Sequence, residues 1–221
     1  MVALAPDKPL LRGVIHQIFF FVALVAGVAL VAVSPPGRAT WAALIYAASL
    51  VSLLGVSATY HRISWRPRAR AWMRRLDHSA IFVLIAGTYT PFCLALPEGR
   101  TLALGLIWGS AAVGALKSML WPFAPKWLVA GLCVAMGWGG LYLVPTISAT
   151  TGPVGLGLIV AGGVLYSIGA VIYALKRPNP WPRTFGYHEI FHALVVAAAV
   201  LHFAVVMRVV GQLDGSSALA P

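Results

Sequence analysis

The pentapeptide His188-Glu189-Ile190-Phe191-His192 sets two imidazoles four residues apart. On a helix that spacing stacks them on one face, where they can chelate a single ion. The pattern is H-E-x-x-H, the zinc-peptidase signature in which the glutamate is the general base. A third imidazole stands at His61, with Ser57 four residues before it and a carboxylate at Asp77. Three imidazoles plus one water is a catalytic zinc set. Imidazole also suits iron, copper and nickel, but without thiolates or redox partners a closed-shell Lewis acid is the simplest occupant. Three neutral ligands leave a divalent ion its full charge, and Asp77 is the carboxylate placed to offset it, directly or through the water.

Which carboxylate acts as base is open at this level. The peptidase reading gives the role to Glu189. The other gives it to Asp77 and leaves Glu189 as an outer partner of the site or as a charge at a helix N-terminus. Glu189 lies about 80° from the mean direction of the two histidines at about 100° per residue, which suits either. A proton relay through Asp77 and the histidines, as in a transporter, is a rival to metal chemistry.

The elements that must position these residues are membrane helices. Of 221 residues, 60% are hydrophobic and 10% charged, and the mean hydropathy is +0.88. A soluble domain carries about 25% charged residues, so a water-soluble fold and a disordered chain are both excluded. Apolar runs cover 14–33, 40–60, 76–96, 102–120, 127–144, 154–175 and 187–210, each bounded by Pro, Gly or charge. A spanning helix takes about 20 residues, so the runs predict an all-α, seven-helix polytopic protein forming one domain over 1–221. The first run exceeds the usual apolar core of about 7–15 residues in a signal peptide and reads as a retained span.

A net charge of +11 would suggest nucleic acid in a soluble chain. Here it reads as orientation, and no nucleic-acid partner is expected. With seven spans, thirteen Lys and Arg residues fall on one side and Arg38, Arg100 and Arg208 on the other. The positive-inside rule then places the N-terminus in the cytoplasm and the C-terminus outside. Trp65, Trp72, Trp127 and Trp181 sit at the inferred cytoplasmic boundary. The arginine-rich stretch 62–75 reads first as a loop that determines topology, and secondarily as a contact for anionic headgroups. Glycines 137, 139, 140, 155, 157, 162 and 163 are expected to allow close helix contact. Cys93 and Cys133 share no metal-ligand spacing and read as packing residues.

The same topology brings His61, Asp77, His188 and His192 to one depth near the cytoplasmic face. Ionisable groups at membrane depth are costly and therefore functional candidates. His16, in the first span, reads as an outer partner of the site or as packing. His78 is expected to face a neighbouring helix, and His202, in the outer half of the last span, to be a satisfied hydrogen-bonding residue.

Three segments resemble the haemolysin III family, the bacterial branch of the progestin and adiponectin receptor superfamily: Ser57-Ala58-Thr59-Tyr60-His61; Leu76-Asp77-His78-Ser79-Ala80-Ile81-Phe82, continuing to Ala86-Gly87-Thr88-Tyr89-Thr90-Pro91; and 188–192. Their order and span placement agree across nearly the whole chain. The resemblance implies a seven-helix bundle, multi-pass in a bacterial plasma membrane. It also implies zinc held on the cytoplasmic side by His61, His188 and His192, with Ser57 and Asp77 beside it. The family carries Glu or Gln at the position of Glu189, which weakens the peptidase-type base. The expected activity is zinc-dependent hydrolysis of a membrane lipid amide or ester, with ceramide-like substrates as an analogy. Alternatives are a non-enzymatic regulator of membrane state with a structural zinc, a proton-relay transporter, and a cytolysin.

Overall fold

The computed structural model describes residues 8–213. Its helices are α1 (Val14–Val33), α2 (Arg38–Arg62), α3 (Pro67–Ala95), α4 (Arg100–Leu120), α5 (Lys126–Trp138), α6 (Val144–Leu175) and α7 (Tyr187–Gln212), with a 3-10 turn at Gly139–Leu143. Among the described residues the sole β element is an isolated bridge between Trp181 and Phe185. Six helical segments are long and apolar enough to cross a membrane, the 50-residue stretch Lys126–Leu175 counting once. Large apolar side chains such as Ile18, Val25, Leu102, Val113 and Val171 point outward and are exposed. Water would penalise so continuous an apolar surface, whereas acyl chains solvate it. The protein is an all-α, multi-pass membrane protein.

The interior is built on the middle of the bundle. Tyr46 and Leu50 of α2, Leu84 and Phe92 of α3, and Val205, Val206 and Val209 of α7 form one buried cluster. α6 packs along α7, α1 along α2, and α2 and α4 each along α3. α5 meets α3 and α4 only sparsely.

Two departures from the apolar-run reading have physical causes. The arginine-rich stretch is mostly helix: α3 begins at Pro67, nine residues before the run at 76. Proline suits the first helical position and arginine is a good helix former, so charge removed these turns from an apolar window without removing their helicity. That extension adds about 13 Å of helix at 1.5 Å per residue. The second departure is the fifth run, where α5 stops after 13 residues. The 3-10 turn follows, and α6 then contains a non-helical Gly152 (φ 68°) immediately before Pro153. The segment nevertheless folds back on itself. Ala130 packs with Ala170 and Tyr173, and Trp138 Nε1 donates to Ser167 Oγ at 2.9 Å. Of the glycines expected at close contacts, Gly140 and Gly162 qualify, because a Cβ would sit 2.0 Å from the Tyr89 ring and 2.4 Å from the His202 ring, while Gly137, Gly139 and Gly157 meet nothing within 4 Å.

The two ends of the bundle differ. At one end the N-terminal arm is pinned to the α6–α7 connection by Leu10 N–H to Arg183 O (3.0 Å) and Leu11 N–H to Thr184 O (3.2 Å). The C-terminus of α2 joins there, where Arg62 donates to Leu10 O at 3.4 Å. At the other end Arg38, which opens α2, donates to Leu213 O at 3.3 Å. Residues 10 and 213 are therefore separated by the length of α2.

Candidate metal centre

The basic end carries the site. α7 starts at Tyr187 with a capping box: the Glu189 Oε2 accepts the Gly186 backbone N–H at 2.8 Å. This cap fixes the first turn of α7 and so aims His188 and His192, one turn apart, toward α2. His61 approaches from the last turn of α2, and its Nε2 lies 3.2 Å from His188 Nε2. One nitrogen from each of His61, His188 and His192 lies within 4.8 Å of the other two. The three side chains are close enough to hold one metal ion.

The donor set fits such an ion. Around a tetrahedral zinc with Zn–N of about 2.0–2.1 Å, nitrogens stand about 3.4 Å apart. The His61–His188 pair already meets that spacing, and the widest separation of the trio exceeds it by about an ångström and a half. His192 is buried and its Nδ1 has no hydrogen-bond partner. An orphaned buried nitrogen costs free energy, so the protein alone does not satisfy this imidazole.

Asp77, in α3, places Oδ2 4.0 Å from His61 Nε2. Ser57, buried in α2, lines the same cavity wall as Asp77, close enough for its hydroxyl to interact with the carboxyl, so the two stand as a pair on the flank of the trio. Glu189 is differently engaged. It is 1% exposed and takes Arg12 Nε on Oε1 as well as the Gly186 N–H on Oε2. Both oxygens are committed to positioning α7. His16 lies flat on His192, ring centroids 3.7 Å apart and planes within 9°, and both its nitrogens lack hydrogen-bond partners. His78 is buried, and His202 is satisfied by the Ile159 carbonyl at 3.1 Å.

Two features of the site have no sequence motif. The first is the Arg12–Glu189 pair, 177 residues apart in the chain. The second is Gly13, whose φ of 80° caps α1 and whose missing side chain leaves room for His61. A Cβ at Gly13 would stand 2.5 Å from His61 Cβ. Only glycine tolerates both the left-handed backbone and that approach.

Two cavities meet at the trio. An apolar chamber of about 190 Å³ runs between α3, α5, α6 and α7, lined by Leu84, Phe92, Val134, Leu156, Ile159 and Val195 among others. A second cavity of about 150 Å³ opens among the basic residues of the bundle end. Asp77, His78, Tyr173 and His188 line both.

This cluster of polar groups on α2, α3 and α7 coincides with a family match. The family described as Haemolysin-III related matches residues 4–203. The chain belongs to the haemolysin III family. It is 34% identical over 164 residues to Hemolysin-3 of Bacillus cereus, covering 72% of this chain and 70% of that protein. A Hemolysin-3 homolog of Bacillus subtilis (strain 168) is 31% identical over 163 residues, 72% of each. The match extends to eukaryotic relatives. Heptahelical transmembrane protein ADIPOR2 of Oryza sativa subsp. japonica is 31% identical over 191 residues, 77% of this chain and 82% of that one. This haemolysin III chain thus carries its polar cluster within the matched region.

Proposed function

We propose that this protein is a seven-pass hydrolase of a bacterial plasma membrane that cleaves a lipid amide or ester at a zinc ion held by His61, His188 and His192. One observation carries the reading: three imidazoles converge at the junction of an apolar chamber and a polar cavity, with the Ser57–Asp77 pair on their flank. Such a junction suits a molecule with an alkyl chain on one side of a carbonyl and a polar group on the other.

When bound, zinc would supply Lewis acidity, polarising that carbonyl and lowering the pKa of a water. Asp77 takes the proton from the attacking water and returns it to the leaving nitrogen or oxygen. The water oxygen bonds to the carbonyl carbon, the C–N or C–O bond breaks, and a carboxylic acid and an amine or alcohol result. Ser57 holds the Asp77 carboxylate in place. Glu189, with both oxygens occupied, positions α7 and does not act as base. Seven passes are supported by the fold-back of 126–175 and by the position of residues 10 and 213 at opposite ends. The basic end then faces the cytoplasm under the positive-inside rule.

Metal analysis of purified protein, together with product release from labelled lipid amides and esters, tests the proposal. About one zinc per chain with turnover lost on Asp77→Asn is the expected result. Metal retained with no turnover across the lipid panel would refute hydrolysis. It would favour the structural-zinc reading, in which the ion ties α2 to α7.

A further inference from the structure

The cations of the polar cavity at the basic end come from three separate parts of the chain. Lys8 and Arg12 come from the N-terminal arm, Arg70 and Arg74 from the first turns of α3, and Lys126 from the start of α5. Against these five cations the lining holds one carboxylate, Asp77. Among the described residues the ion pairs at this end are Arg12 with Glu189 and His61 with Asp77. Among the described residues Lys8, Arg70 and Lys126 therefore face the cavity without a carboxylate partner, and Arg74 feels the Asp77 charge without being within ion-pair distance of it.

Their neighbours do not quench them. Lys126 Nζ donates to the Tyr187 hydroxyl at 2.7 Å and lies over the Tyr173 and Tyr187 rings at 4.4 and 4.6 Å. Those contacts fix the ammonium and leave its charge. The Arg74 guanidinium stacks 5.0 Å from the Phe123 ring, and its buried Nε has no hydrogen-bond partner. Crowding is felt at Lys8, outside the helices, where partial burial first and then the charges of Arg62, Arg70 and Arg12 push the ammonium below its ordinary range. Topology alone requires only that Lys and Arg lie on the cytoplasmic side; it does not require them to converge on a cavity. Convergent, unpaired cations on a preformed cavity are the arrangement that recognises a phosphate, since guanidinium donors pair with phosphate oxygens and an ammonium adds a point charge.

We propose that this cavity is an anion subsite that receives the phosphate-bearing headgroup of a single-chain lipid whose acyl chain occupies the apolar chamber. This rests on the proposed function for the carbonyl lying between the two cavities, but the binding claim stands on its own residues. It narrows the substrate class from any lipid amide or ester to acylated phosphates.

The test is binding by the full chain in zwitterionic nanodiscs, with soluble probes: a short-chain lysophosphatidic acid, its unphosphorylated monoacylglycerol, and inorganic phosphate. The expected result is at least tenfold tighter binding of the lysophosphatidic acid than of the monoacylglycerol. The preference should weaken with added salt. Arg74→Gln and Lys126→Gln each remove most of that preference while the monoacylglycerol affinity is unchanged. Arg74→Lys restores part of it. Arg177→Gln, on the same end but outside the cavity, leaves it intact. Equal affinity for the two lipids in wild type, or equal loss in Arg177→Gln, overturns the subsite. Inorganic phosphate binding as tightly as the lysophosphatidic acid overturns the lipid part and assigns the cavity to free phosphate. Failures are separable. Headgroup-dependent binding without any hydrolysis defeats the hydrolase alone, and hydrolysis of neutral lipids indifferent to Arg74→Gln defeats the subsite alone.

Discussion

Glu189→Gln separates a structural carboxylate from a catalytic one. The wild-type carboxylate is 1% exposed, and each oxygen serves one donor: Arg12 Nε on Oε1 and the Gly186 N–H on Oε2 at 2.8 Å. Glutamine keeps the shape but presents one oxygen and one NH₂, so one of the two donors must face another donor. A charge-assisted hydrogen bond, worth about 1.5–3 kcal/mol, is lost. Arg12 also loses its counter-charge. A fully enclosed pair broken in this way costs about 3–5 kcal/mol, but the Arg12 side chain is 18% exposed, so water recovers part of that. The expected net loss is about 2 kcal/mol. For a chain of this size, at about 2–4 °C per kcal/mol, Tm falls by about 4–8 °C.

The measurement is thermal unfolding in detergent, with zinc content and turnover per folded molecule on the same preparation. The expected outcome is a lowered Tm, about one zinc per chain, and kcat within a few-fold of wild type. A general base contributes about 10²–10⁴ in rate. A hundredfold or greater fall in kcat at unchanged Tm would therefore refute the assignment and return the role to Glu189, as the H-E-x-x-H pattern suggests.

The remaining predictions concern the trio and its surroundings. His192→Ala removes a proposed ligand and the ring on which His16 stacks. Zinc should fall from about one per chain to near zero, and the Tm difference between zinc-loaded and chelator-treated protein should vanish. Asp77→Asn should keep the zinc and lower turnover by about 10²–10⁴, the range of a lost general base; zinc loss instead would make Asp77 a ligand. Gly13→Ala puts a Cβ 2.5 Å from His61 Cβ at a φ of 80°. It should cost about 1–3 kcal/mol, as strained backbone and overpacking do. It should also weaken zinc affinity, read by competition with a chelator, because relieving the clash shifts His61 against the start of α1.

Much of this arrangement is legible in the sequence because two independent periodicities agree. Pro, Gly and charge bound the apolar runs near most helix ends, so helix order follows from local signals. The i, i+4 spacing of His188 and His192, and of Ser57 and His61, then puts each pair on one face without any tertiary information. What is not legible has the opposite character. The first turns of α3 are invisible to an apolar window because their solvation by arginine is what lets them leave the hydrocarbon. The end of α5 depends on tertiary packing of a glycine-rich segment that has little preference of its own. The Arg12–Glu189 pair, the Gly13–His61 contact and the basic cavity each join residues with no shared motif. This contrast bears on the base that the pentapeptide suggests. H-E-x-x-H specifies where the glutamate lies on its helix, but the peptidase role requires that carboxylate to be free. Here the arm before α1 supplies an arginine to one oxygen and the α7 cap claims the other. A motif fixes spacing along one helix; the chemistry available to each residue is decided by the partners other helices bring.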